Sequence, residues 1–294
     1  MAVQIEKLTS HFGARLTGFS IQDGISEDDF RVINRAINEY GLIVMPNQPL
    51  TDDTQIAFSE RFGPLEETLT GAVGAGSKLV RVTNILPDGT IKDPNSQLAL
   101  FTRANFLWHT DSSFKETPAK FSLLSGRELP QNGGGDTEFA STAVAFDELP
   151  AELRQVVEGQ IAIHSIAHSR EKFQKCSSTE EQRRRLPPVQ QALVRTNPLT
   201  GRKSIHIASH ISGVVGMADD VGQKLAEKLL EVATNPSKIY RHQWTASDAV
   251  MWDNRATIHR ATPYDETGDR RLMIRTTVSD FGPTVMNGRI VEGA

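Results

Sequence analysis

Apolar residues recur at helical spacing early in the chain and at strand spacing through most of the rest. Ser26 stands where an N-cap belongs, Asp29 reaches back from three residues on, and Phe30, Ile33, Ala36 and Ile37 then share one helical face. Gly41 ends this helix, and Leu42-Ile43-Val44-Met45 reads as a buried strand stopped by Pro46. Thr51 starts a second helix that carries Ile56, Ala57 and Phe58 toward Phe62. Short strand-like runs at Lys120–Ser125, Asp136–Phe139, Gln160–Ser165 and Lys203–Ile207 follow, separated by Gly, Pro and Asn. Asp219–Ala233 is strongly periodic and predicts a helix, and strand patterns return at Ile239–Trp244, Ala249–Trp252 and Leu272–Val278. Early helices followed by many strands predict a mainly β fold with flanking helices, a sandwich or jelly roll. Residues 167–192 break the pattern. They are rich in Ser, Glu, Gln, Arg and Pro, include Arg183-Arg184-Arg185, and read either as a solvated helix and loop or as a mobile lid over a pocket.

Composition narrows the function classes. With 294 residues, 38% hydrophobic and 23% charged, the chain has the make-up of a globular protein that buries a core without disulfides. No repeat or low-complexity linker divides it, so one domain over 1–294 is expected. A net charge of -4 argues against nucleic acid as the main partner and leaves small anions open. Cys176 is the single cysteine, so no intramolecular disulfide forms. The first residues carry no apolar signal segment, and no run approaches the ~18 apolar residues of a membrane span. The expectation is a cytoplasmic protein without a membrane partner.

Candidate chemistry centres on Trp108-His109-Thr110-Asp111, placed after an apolar stretch that looks like a strand. On a strand, residues i and i+2 project to one face, so His109 and Asp111 would point together. His259 ends another strand pattern and offers a second imidazole. Two histidines and a carboxylate form a facial triad suited to non-haem iron(II), with three positions left open. A bare His-x-Asp is common by chance, so the case needs more. In Arg270–Arg275, alternation puts Arg271, Met273 and Arg275 on one face and Leu272 and Ile274 on the other. By pattern alone, Leu272 and Ile274 face the core and the arginines face solvent. The alternative turns two arginines inward, which is costly unless each meets an anion. Gly133-Gly134-Gly135 permits a tight turn into a strand that offers the Thr137 hydroxyl, or is a hairpin turn with no chemistry.

Taken in order and spacing, the segments WHTDSSF (108–114), GGGDTEF (133–139), WDNRATIHRATPY (252–264) and RRLMIR (270–275) resemble the TauD/TfdA family of 2-oxoglutarate-dependent dioxygenases. The similarity runs from QIAFSERFGPLE (55–66) to RRLMIRTTV (270–278). LVRTNPLTGRK (193–203), YRHQW (240–244) and VMWDNR (250–255) place it nearer the aryloxyalkanoate branch than the taurine branch. The resemblance implies a double-stranded β-helix, or jelly roll. It implies Fe(II) on His109, Asp111 and His259, with 2-oxoglutarate and O2 as co-substrates. Arg271 would pair with the distal carboxylate of 2-oxoglutarate, helped by Thr137. Arg275 would bind the anionic end of a small organic substrate, and Asn105 would line its pocket. Asp111, in place of Ala or Gly, favours hydroxylation over halogenation. Family analogy also implies a homo-oligomer.

Two departures bear on the substrate. The stretch 66–77 (EETLTGAVGAGS) has no histidine or aromatic residue to meet a sulfonate, which counts against taurine, and Asn197 stands where the phenoxyacetate enzymes tend to have histidine. His164, His168, His206, His210 and His242 read as structural or supporting residues and His11 as a surface residue. The leading expectation is hydroxylation of an aryloxyalkanoate with ether cleavage. The alternatives are an alkylsulfate or alkylsulfonate dioxygenase and, in another class, a non-catalytic jelly-roll protein that binds an organic anion.

Overall fold

The first helix forms as its cap dictates. Ser26 Oγ accepts from the Asp29 amide at 3.1 Å, the helix spans Glu27–Tyr40, and Gly41 closes it in the left-handed conformation at φ 72°. Ile33, Ala36 and Ile37 are buried. The computed structural model describes residues 2–68, 76–96, 99, 102–172, 180–286 and 289–291. The second helix, Asp52–Glu60, starts at a Thr51 capping box. Its inward face differs from the expected one: Ala57 is exposed and Gln55 is fully buried. The Gln55 amide donates to the carbonyls of Leu123 and Ile274 at 3.2 and 2.9 Å, so a satisfied polar group takes the place reserved for an apolar one.

Both helices lie on one face of a seven-stranded sheet. Its order is Gln4–Lys7, Ala14–Thr17, Leu42–Met45, Ala249–Asp253, Ala119–Glu128, Leu272–Ser279 and Val80–Thr83. Ile43, Met45, Phe121, Leu123, Met251 and Val278 join the helices in one core, while Leu42, Val44, Leu124, Val250, Trp252 and Met273 point the other way. That second face meets a three-stranded sheet of Tyr240–His242, Thr137–Ser141 and Thr257–Ala261, and Phe139 packs on Trp252 at 5.5 Å between ring centroids. The outer face of the small sheet, through Ala140 and Ile258, rests on a third core with the long helix Asp219–Ala233. The result is a mainly β jelly roll with flanking helices, and the space between its two sheets is where inward side chains converge.

Among the described residues, no helix is long and apolar enough to cross a membrane. Segment 167–192 is only partly solvated. Helix Ile166–Glu171 buries Ile166 and Ser169, helix Glu180–Arg185 is exposed, and Val189–Ala192 is a strand paired with Ile161–His164. Residues 173–179, Cys176 among them, lie outside the described residues, as do 69–75 of the stretch 66–77.

Candidate active site

His109 and His259 are held side by side by the main chain. The His109 amide donates to the His259 carbonyl at 3.0 Å and the His259 amide returns to the His109 carbonyl at 2.8 Å. This is a single isolated bridge and not the edge of a strand as the sequence predicts. A short 3-10 turn over Ala104–Phe106 precedes it and a turn begins at Asp111. His109 and Asp111 therefore converge through a turn and not through strand alternation. Glu66 secures that turn: Ser112 Oγ and Lys115 Nζ donate to its Oε2 at 2.7 and 2.6 Å.

The three side chains are buried, and their ligating atoms lie within 4.8 Å of one another. His109 Nδ1 faces the Leu107 carbonyl at 2.8 Å. A carbonyl only accepts, so Nδ1 carries the proton and Nε2 keeps its lone pair for the centre. The Nε2 atoms of His109 and His259 stand 4.0 and 3.9 Å from the Asp111 oxygens. The His259 ring lies 4.5 Å from Trp252, between centroids, and 6.1 Å from Phe139. Burial holds both imidazoles below their usual pKa. Burial works against ionisation of Asp111, but Arg275, His259 and His109 outweigh it and lower its carboxyl to about 2. Near neutral pH the site thus offers two neutral imidazoles and one carboxylate, a donor set that fits a divalent iron.

Of the three arginines of RRLMIR, Arg270 is exposed and pairs with Glu128, while Arg271 and Arg275 point inward. The pattern reading that sends them to solvent fails because neither face of this strand is wet. Ile274 and Met273 are both buried, one toward the helix Asp52–Glu60 and one in the space between the sheets. Arg271 is 5% exposed, donates from Nη2 to the Gly135 carbonyl at 2.9 Å, and leaves Nε without a partner among the described residues. Among the described residues no carboxylate forms an ion pair with it. A buried guanidinium with spare donors is a receptor for an anion. Arg275 donates from Nη1 to Asp111 Oδ1, and its Nε is also buried without a partner among the described residues. Thr137 is buried next to the glycine turn, and its Oγ1 accepts from Trp244 Nε1 at 3.0 Å. Asn105 lines a pocket that Arg271, Lys92, Thr262 and Tyr264 also border.

The glycine turn has a steric reason that spacing does not reveal. A Cβ on Gly135, at φ 68°, would stand 2.9 Å from Arg271 Nε and 3.2 Å from its Cδ. Gly135→Ala is therefore expected to displace the Arg271 side chain and to add backbone strain of about 1–2 kcal/mol. In titration calorimetry, affinity for 2-oxoglutarate should fall while affinity for Mn(II) is retained. Unchanged 2-oxoglutarate binding would show that the close approach does not matter.

Other groups escape sequence reading. Burial, and then the charge of Arg275, lower the pKa of Arg170, on helix Ile166–Glu171, to about 10, and the Arg170 charge adds slightly to the lowering that burial imposes on His109. The only sequence signal of Arg170 is membership of a polar stretch. Asn197 does not reach the site: it caps its own turn and donates to Asn38 Oδ1 at 3.2 Å. His11 is exposed. His242 pairs with Asp248 at 3.2 Å.

His164 and His210 share the Ser113 hydroxyl through Nδ1 at 3.0 and 3.1 Å, and the His206 ring lies 5.1 Å from His164. Burial lowers all three, His164 to about 3. Folded, they stay neutral where the unfolded chain, at about 6.5, takes up protons. Stability is fully present above about pH 6.5 and falls as the pH drops toward the folded values. His164→Asn, which removes one of these titrations, should make unfolding free energy less pH-dependent between pH 7 and 5, by up to about 1.4 kcal/mol per pH unit. An unaltered slope in chemical denaturation would contradict this.

The family described as "Taurine catabolism dioxygenase TauD, TfdA family" matches residues 4–277. The alpha-ketoglutarate-dependent 2,4-dichlorophenoxyacetate dioxygenase of Cupriavidus pinatubonensis (strain JMP 134) is 36% identical over 285 residues, 95% of this chain and 99% of that one. The (S)-phenoxypropionate/alpha-ketoglutarate-dioxygenase of Sphingobium herbicidovorans is 34% identical over 286 residues, 95% of each chain. The crystal structure of AAD-2 in complex with Mn(II) and N-oxalylglycine superposes with a TM-score of 0.92 at 37% identity, over 97% of this chain and 100% of that one.

Proposed function

The chain belongs to the TauD/TfdA family and is an Fe(II)- and 2-oxoglutarate-dependent dioxygenase, and we propose that it hydroxylates an aryloxyalkanoate beside its ether oxygen. The observation that carries this reading is the pair of inward arginines at and just before one strand: among the described residues Arg271 has no carboxylate partner, and Arg275 touches Asp111. Such a pair serves two anionic groups, one on the co-substrate and one on the substrate. The full-length likeness to dioxygenases named for 2,4-dichlorophenoxyacetate and phenoxypropionate supports the substrate class.

His109, Asp111 and His259 would hold Fe(II). With 2-oxoglutarate and O2, the iron supplies the oxidising chemistry that hydroxylates a C–H bond, with succinate and CO2 as co-products. Arg271 receives the distal carboxylate of 2-oxoglutarate. Trp244 already donates to Thr137 Oγ1, so the Thr137 proton is free to donate to the same carboxylate. Arg275 holds the substrate's carboxylate so that one C–H faces the metal, which is catalysis by positioning. Asn105 borders the approach. The helix that carries Arg170, at the start of segment 167–192, is proposed as part of the cover over the substrate. Hydroxylation beside the ether oxygen gives a hemiacetal, which breaks to a phenol and a carbonyl compound. A cytoplasmic homo-oligomer is proposed with this reading, and light scattering on the purified protein tests the assembly.

The deciding experiment measures succinate and leaving group together, with Fe(II) and O2. The panel holds phenoxyacetates, both enantiomers of 2-phenoxypropionate, an alkyl sulfate and taurine. Phenol release matched to succinate is expected. Release of sulfate or sulfite in its place would overturn the substrate class. Binding of these anions with no O2-dependent succinate would overturn the enzymatic reading.

A further inference from the structure

Two buried polar side chains outside the triad close a ring of hydrogen bonds through Asp111. The Asp111 amide donates to Asn254 Oδ1 at 3.0 Å, and Trp252 Nε1 donates to the same oxygen at 3.0 Å. Two N–H donors meeting one oxygen fix the orientation of the Asn254 amide. Its Nδ2 therefore faces Ser122 Oγ, to which it donates at 2.9 Å, and Ser122 gives its single proton to Asp111 Oδ2 at 2.7 Å. The ring starts on the backbone of Asp111 and returns to its carboxylate. Every direction in it is forced, because an N–H only donates and a carboxylate only accepts. Ser122 is fully buried and Asn254 nearly so, which keeps bulk solvent from either. Thr110 Oγ1 adds a bond to the Asn254 carbonyl at 2.7 Å, which ties the chain just before Asp111 to the same strand end.

We propose that Asn254 and Ser122 are positioning residues: they set the rotation of the Asp111 carboxylate so that it serves the metal through one oxygen, and they thereby determine metal affinity. The inference rests on the reading of His109, Asp111 and His259 as the metal ligands. Ser122 engages Oδ2 and Arg275 lies on Oδ1, and with Arg275 turned to the substrate's carboxylate the Ser122 bond biases Asp111 toward donation by Oδ1 alone. One oxygen and two imidazole nitrogens occupy three positions and leave three for the co-substrate and O2. Two-oxygen ligation would take one of those positions away.

The test is titration of the full-length, metal-stripped protein with Mn(II), read from the electron paramagnetic resonance signal of free Mn(II). Ser122→Ala, Asn254→Ala and the double variant are compared with Ser59→Ala. Ser59 shares a buried hydroxyl bond with Thr276 at 2.6 Å, on the helix side of the large sheet and outside the site. Each single site variant is expected to bind Mn(II) about 10–100-fold more weakly. The double variant should be no worse than the weaker single one, because both residues act through one ring. Ser59→Ala should bind as the parent does. Parent-like affinity in Ser122→Ala would overturn the proposal, and so would equal losses in Ser59→Ala. Ser122→Ala removes one oxygen, so it decides the matter if Asn254→Ala fails to fold. Failure of the parent itself to bind Mn(II) would instead strike the reading of the triad.

Discussion

His109→Ala is expected to yield a folded protein that neither retains Fe(II) nor turns over. The fold survives because the bridge between residues 109 and 259 is made by main-chain atoms, which alanine keeps. The metal is lost because Nε2 of His109 is one of three donor atoms brought within 4.8 Å of one another. Residues that merely orient metal ligands are worth about 10–100-fold in affinity. Removal of a ligand itself should exceed that upper figure. Mn(II) titration, a thermal melt and the succinate assay read the three parts separately. Metal-dependent turnover close to the parent's would remove His109 from the site.

The second large effect separates the two arginines. Arg271→Ala is expected to weaken 2-oxoglutarate, and Arg275→Ala to weaken the organic substrate, each with a smaller change in the other ligand. Truncating one partner of a buried charged pair costs about 2–5 kcal/mol, roughly 30-fold to a few thousand-fold in affinity. Arg271 should sit high in that range. It is buried, and among the described residues its guanidinium meets the Gly135 carbonyl and the face of Tyr264, 5.7 Å from the ring centroid. Calorimetry with N-oxalylglycine on the Mn(II)-loaded protein, beside the KM for each substrate, makes the comparison. Equal losses of both ligands in either variant would contradict the division of roles.

Much of the fold was legible because its local signals agree with its packing. The Ser26 cap and Gly41, the run Leu42–Met45 and the helix Asp219–Ala233 form where their patterns predict. Gln55 was not legible, since its burial depends on two carbonyls of strands far along the chain. The inward turn of Arg271 and Arg275 was open on pattern alone, because alternation names the faces of a strand and not what covers them. The resemblance carried by the ordered motifs weighed toward the inward reading. Asn254 and Trp244 lie in motifs that carry the resemblance, but the motifs do not say that they serve Asp111 and Thr137, which are more than a hundred residues away. Nor did the strand pattern around Ser122 or the polar stretch around Arg170 show what those residues touch.

The sequence by itself determined which residue types carry the chemistry, their order, and the periodicity of the elements that bear them. Tertiary structure decided the rest. It joined His109 to His259 through one bridge and turned Asp111 into line by a turn and not a strand. It covered both faces of Leu272–Ser279, and it placed Gly135 where an added Cβ would meet Arg271. The reason is physical. Helical and strand periodicities are local properties of the backbone, whereas burial of a charge and closure of a hydrogen-bond ring depend on atoms that only folding brings together.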